Sequence, residues 1–116
     1  MEKSKILIIG FAGQGALWLG KKIAREVLAR DPKKFVSFLA EYEAGVRTGE
    51  SRAQVVIGSE PIACPFIEQP DILVELENSQ IKFANQMVEL KGEQRVNQLA
   101  LTEILKRLEI KQQMNK

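Results

Sequence analysis

A chain of 116 residues, 45% hydrophobic and 28% charged, has the composition of one ordinary globular domain over 1–116 and can hide roughly 65% of its unfolded surface on folding. Its net charge of +2 gives no electrostatic case for nucleic acid, and the mild basic excess after Leu90 reads as a solvated helix face. With no histidine and one cysteine, Cys64, it has no imidazole base, no catalytic triad, no internal disulfide and no four-thiolate iron–sulfur cluster.

Residues 6–9, Ile-Leu-Ile-Ile, form a short apolar run ended by Gly10, the pattern of a strand covered on both faces. Residues 10–15 carry turn chemistry. From Ala16 the period becomes helical, with Ala16, Leu19, Ile23, Ala24, Val27 and Leu28 on one side and Lys21, Lys22, Arg25 and Glu26 on the other. Gly20 among the apolar positions predicts close approach of this helix to the sheet. Asp31-Pro32 ends the helix. Residues 35–40 read as a second strand, and strand, helix and strand with short links predict a βαβ crossover with parallel pairing. Residues 41–50 read as a polar loop. Residues 52–57 alternate, which predicts a strand with one face better covered, near an edge. Prolines at 61, 65 and 70 mark an irregular connection, and residues 71–76 predict a fourth strand. Ser79 is placed to cap a helix through Leu90 with Ile81, Ala84 and Val88 inward. A last helix is expected over 99–112, with a stripe of Leu101, Ile104, Leu105 and Leu108. The predicted fold is α/β, a Rossmann-like three-layer sandwich with a mostly parallel sheet of about four strands and flanking helices. No apolar run reaches the roughly 18 residues that span a bilayer, and residues 1–5 lack the pattern of a signal peptide. A cytoplasmic location without membrane contact is the expectation.

The turn at 10–15 places unpaired backbone N–H groups at a helix N-terminus, where phosphates and carboxylates bind readily. The dinucleotide fingerprint G-x-G-x-x-G is matched in part: the frame is Gly10, Ala12, Gly15, with Gly13 one residue late and Glu41 placed to meet a ribose. The same glycines also serve a tight strand-to-helix turn, and both readings stand. Gln14 could bond a ligand or tie down the turn. Arg47, between Gly45 and Gly49, could clamp an anion, anchor a subunit contact or remain solvated. Tyr42 suits an interface or a half-buried strand end. Trp18 leans towards the charged face of its helix, where it marks a contact or packs on lysine stems. Cys64 reads as inert, and Glu41, Glu43 and Glu50 as solvated.

The turn has a second resemblance. Gly10-Phe-Ala-Gly13-Gln14-Gly15, followed by Ala16-Leu17 and Gly20, resembles the opening G-x-G-G-Q-G motif of the gamma subunit or domain of 2-oxoacid:ferredoxin (acceptor) oxidoreductases, the enzymes of pyruvate, 2-oxoglutarate, 2-oxoisovalerate and indolepyruvate. Tyr42 and Arg47, with Gly49, follow the spacing of that family's Y-G-P-E-x-R-G-G landmark. Ile62-Ala-Cys-Pro65 and then Asp71-Ile-Leu73-Val74-Glu-Leu76 match its I-x-x-P and D-x-L-V-x-L landmarks. The resemblance covers residues 6–76. Ala12, Gly45 and Thr48 depart from the pattern and the stretch after Leu76 is short, so the chain resembles a shortened, diverged member. The resemblance implies a subunit of an enzyme that oxidatively decarboxylates a 2-oxoacid, acting on the oxo group of the donor, with no turnover of its own. Thiamine diphosphate, CoA and iron–sulfur clusters would sit on partner subunits, thiamine-diphosphate-binding and ferredoxin-like. Gly10, Gly13, Gln14, Gly15, Tyr42, Arg47 and Gly49 would line an interface or a cofactor. Two other readings remain open here: a Rossmann-like nucleotide-binding module, and a non-catalytic remnant that forms homo-oligomers.

Overall fold

The computed structural model describes residues 3–11, 15–42, 50–62, 69–77, 79–83, 86–90 and 96–114. The chain runs β1 (Lys3–Phe11), α1 (Ala16–Arg30), β2 (Phe35–Tyr42), β3 (Glu50–Gly58), β4 (Ile72–Glu75), β5 (Gln80–Phe83), β6 (Gln86–Glu89) and α2 (Val96–Met114). The strands form one six-stranded sheet in the order β2-β3-β1-β4-β5-β6.

The opening βα unit stands as the residues predict. Ile6 and Ile8 of β1 are fully buried, and α1 buries Ala16, Leu19, Gly20 and Ile23. Asp31 ends α1: its N–H donates to the Val27 carbonyl at 2.9 Å, and its carboxylate accepts from the Lys33 N–H at 3.1 Å. The neighbourhood of these elements differs from expectation. β1 and β2 run the same way but do not touch, because β3 lies between them and is antiparallel to both. The pair β1–β4 is parallel, in register Ile6↔Ile72 and Ile8↔Val74, while β4–β5 and β5–β6 are antiparallel. The sheet is therefore mixed and six-stranded, not mostly parallel and four-stranded. β3 is interior rather than near an edge. Its Ala53, Val55 and Ile57 meet the helices, and Gln54 and Val56 on the other face are buried as well.

The helix expected over 79–90 is a hairpin. Residues 81, 84 and 88 satisfy a helical period, but Ile81 and Val88 also face one another across β5 and β6, in line with Val74 of β4. Ser79 has φ 52, the left-handed region, whereas an N-cap residue takes an extended conformation. It closes a turn instead: its N–H donates to the Leu76 carbonyl at 3.2 Å, and its carbonyl accepts from the Leu90 N–H at 2.7 Å. The final helix forms as expected and is longer at both ends. Its inner face adds Ala100, fully buried, to Ile104, Leu105 and Leu108.

Both helices pack on the same face of the sheet and against each other. Among the described residues the layers are thus two, helices on sheet, and not the three of the expected sandwich. One row of the covered face, Ala53, Ile8, Val74 and Ile81 on four neighbouring strands, is wholly inaccessible to water. The opposite face presents half-buried Leu7, Leu39 and Leu73, and exposed Met87. No helix among the described residues is long and apolar enough to cross a membrane.

Candidate functional site

The strand register brings the sequence landmarks to one end of the sheet. β1 ends at Gly10–Phe11, where Gly10 faces Ser51 at the start of β3, and Ser51 in turn faces Tyr42 at the end of β2. β4 is parallel to β1, so its carboxyl end at Glu75 lies beside Ile9. Three carboxyl strand ends and the N-terminus of α1 therefore meet along one edge. β1 leads through α1 towards β2 on one side and has β4 as its parallel neighbour on the other. The carboxyl ends of parallel strands at such a branch are where open α/β sheets bind ligands.

Gly15 joins this edge to α1. It has φ 85 and ψ 28, a left-handed conformation that only glycine adopts without cost, and its carbonyl accepts the Leu19 N–H at 2.9 Å. No side chain caps α1 and no acidic residue stands in its first turn, so the dipole of the helix is not offset there. An anionic group, or an acidic partner side chain, meets a favourable field at this position.

Of the predicted site residues, Gly10, Gly15 and Tyr42 are brought to the same edge, described for Tyr42 by its backbone. Gly13, Gln14, Arg47 and Gly49 lie outside the described residues, as do Ala12, Gly45, Thr48 and Cys64; the side chains of Glu41 and Glu50 are likewise outside them. Gly20 does what its place in the apolar stripe predicts. A Cβ there would stand 2.6 Å from Cε2 of Phe38 and 2.9 Å from Cβ of Ala53. Trp18 is exposed on the outer side of α1.

Two roles of the β4 landmark, one at each end of the strand, go beyond what the sequence predicts. Asp71, the first residue of the D-x-L-V-x-L landmark, is a clip between strands: its Oδ2 accepts the Lys5 N–H at 2.8 Å, and its own N–H donates to the Lys5 carbonyl at 2.8 Å. The Leu76 N–H donates to the Ile9 carbonyl at 3.0 Å, so the landmark is fastened to β1 at both ends. Glu75 sits between them and holds Lys82 of β5 at 3.4 Å. No local pattern marks the clip, because its partner Lys5 is 66 residues away in the sequence and only the pairing of β1 with β4 brings the two together. Among the described residues no group of three or more acidic or sulfur side chains could hold a metal ion.

Comparison with known proteins places this arrangement among relatives. A family model for pyruvate ferredoxin/flavodoxin oxidoreductase matches residues 5–107. The chain is 38% identical over 72 residues to a 2-oxoglutarate synthase subunit, KorC, of Methanocaldococcus jannaschii, covering 62% of this chain and 38% of that protein. It is 30% identical over 86 residues to a ketoisovalerate oxidoreductase subunit, VorA, of Methanothermobacter thermautotrophicus, covering 73% of this chain and 18% of that one. Among solved structures, it is similar to the pyruvate oxidoreductase subunit PORC of Thermotoga maritima, with a TM-score of 0.52 and 34% identity over 66% of this chain and 38% of that one. The chain thus spans about two fifths or less of the length of these relatives.

Proposed function

Because the chain belongs to the pyruvate ferredoxin/flavodoxin oxidoreductase family, we propose that it serves as the gamma-type subunit of a 2-oxoacid:ferredoxin (acceptor) oxidoreductase. It supports thiamine-diphosphate-dependent oxidative decarboxylation of a 2-oxoacid in complex with other subunits. The observation that carries this reading is the family match over 5–107, which spans the glycine-rich turn, the 42–49 loop and the Asp71 strand together. The similarity to 2-oxoglutarate, ketoisovalerate and pyruvate enzyme subunits supports the class of substrate without singling out one acid.

The residues of this chain do not suit the hard chemistry. One cysteine and no histidine cannot hold an iron–sulfur cluster, which takes four ligands. The sequence has no G-D-G…N motif for thiamine diphosphate. These groups, and CoA, therefore belong to thiamine-diphosphate-binding and ferredoxin-like partner subunits, and the chain has no turnover alone. Its contribution is packing: the edge at Gly10, Gly15 and the end of β2 at Tyr42, together with the landmark residues Gly13, Gln14, Arg47 and Gly49, meets a partner or a ligand held by one. A cytoplasmic location and one domain over 1–116 complete the reading. The comparisons lend no support to a free-standing nucleotide-binding module.

Reconstitution tests the proposal. The chain is mixed with the thiamine-diphosphate-binding and ferredoxin-like subunits of its own organism, and reduction of a viologen dye by pyruvate, 2-oxoglutarate and 2-oxoisovalerate is followed. Activity with one of the acids that rises when the chain is added is the expected result. Identical rates with and without it would remove the reading.

A further inference from the structure

The outer side of α1 is chemically unlike the rest of the molecule. Between Ala16 and Lys34 stand six Lys and Arg but only two Asp and Glu, a net +4, whereas the whole chain carries +2. The remainder of the protein is thus net −2, and this stretch carries the larger of two basic excesses, the other being the +3 over residues 91–116. On α1 itself the positions are ordered. Trp18, Lys22, Arg25 and Ala29 follow one another at spacings of four, three and four and so form one line, with Lys21 and Leu28 beside it. The core side of the helix is Ala16, Leu19, Gly20 and Ile23, so this stripe points away from the sheet. Trp18 remains 42% exposed and Leu28 40%. The one acid in the helix, Glu26, lies at the margin of the stripe, 3.7 Å from Lys22.

We propose that this stripe, with Trp18 as apolar anchor and Lys21, Lys22 and Arg25 as a charged rim, docks an acidic face of another subunit of the complex. The inference rests on the subunit reading above and adds to it a surface and a charge. Trp and Arg dominate the energetics of protein interfaces when a surrounding rim excludes water. A rim of one charge steers the encounter and selects a partner of the opposite charge. A lipid surface is a poorer fit. An interfacial helix lays its apolar face in the membrane, but here that face is spent on the core, leaving two large apolar side chains about 15 Å apart along the axis. Two separated apolar side chains among cations suit pockets on a shaped protein surface.

Trp18 is the only tryptophan, so 5-fluorotryptophan gives a single fluorine resonance that reports on this stripe alone. The labelled chain is titrated with the thiamine-diphosphate-binding and ferredoxin-like subunits, and separately with phosphatidylserine vesicles, while co-elution is measured in parallel. With the subunits, the resonance shifts and the chain co-elutes. The combined change Lys21→Glu and Arg25→Glu weakens co-elution at least tenfold, and raising the salt from low to high weakens the unaltered chain similarly. Trp18→Ala weakens it at least tenfold, and Lys106→Glu on α2 leaves it within twofold. Matched thermal melts show that the surface variants fold. Co-elution with an unmoved resonance and unaffected variants overturns the docking surface while leaving the subunit role intact. A shift with vesicles but not with subunits overturns it in favour of a lipid. Absence of co-elution for the unaltered chain overturns both readings together.

Discussion

Gly20 shows how a single missing atom sets the distance between layers. The helix crosses β2 and β3 so closely that a methyl group at this position would overlap the Phe38 ring and the Ala53 methyl. The ring can turn aside, but Ala53 is fully buried in an interior strand and has little room to move. Overpacking of this kind costs about 1–3 kcal/mol, against about 1 kcal/mol regained from the better helix propensity of alanine. Gly20→Ala is therefore expected to destabilise the chain by about 1 kcal/mol, the middle of that difference, seen as a fall in the thermal midpoint of several degrees. Adding Phe38→Leu recovers part of that loss by relieving the ring contact and leaves the Ala53 contact in place. A Gly20→Ala chain that melts at or above the original temperature would show that the helix sits farther from the sheet. The neighbouring residue-scale device, the Asp71 clip on Lys5, explains why a carboxylate opens the β4 landmark without any chemistry being asked of it.

Among the elements, the β4–β5–β6 meander is the one on which local pattern and tertiary structure part. A four-residue strand holds two cycles of a strand period and little more than one turn of a helix, too few to decide between them, and Ile81 and Val88 fit a helix and a hairpin alike. The decisive feature is Ser79, a non-glycine residue whose positive φ is not the extended conformation from which a serine side chain caps a helix. This gives a test with opposite signs. In the turn, Ser79→Gly removes a left-handed strain of about 1–2 kcal/mol and adds about 0.5–1 kcal/mol of unfolded-state entropy cost, so stability rises by about 0.5 kcal/mol. At a helix N-cap the same change would lower it by a few tenths. Urea titration of the two chains distinguishes them by the direction of the midpoint shift. The opening unit was legible for the reason the meander was not: four residues of apolar run, a glycine turn and fifteen residues of helical period agree with one another. Strand neighbours were not legible, because alternation along β3 reports which face is buried and says nothing of what lies on either side. Gly10 and Tyr42 were legible as strand ends and Gly15 as the start of a helix, and the register of β1, β3 and β2 brings them to one edge.

At the scale of the whole molecule, the order β2-β3-β1-β4-β5-β6 makes β1 the hinge of the fold. It is bonded on both sides, antiparallel to β3 and parallel to β4, and its Ile6 and Ile8 lie at the centre of the covered face. Among the described residues β2 and β6 are the outer strands of the sheet, and β6 carries Met87 at 57% exposure and Val88 half-buried. Local opening costs least where few apolar contacts must be broken, so protection should fall from the middle of the sheet outwards. Amide hydrogen exchange of the isolated chain is expected to be slowest for residues 6–9 of β1 and for their partners in β3. Residues 86–89 of β6 should exchange faster by orders of magnitude, with β2 between these limits because α1 covers its Val36 and Phe38. The parallel pair gives the sharper discrimination. β4 is only four residues long, yet Asp71 and Leu76 fasten it to β1 beyond both ends, so its amides should track β1 rather than β5. Exchange in β4 as fast as in β6 would mean that the clip does not hold the two halves of the sheet together, and that residues 72–89 open as one unit.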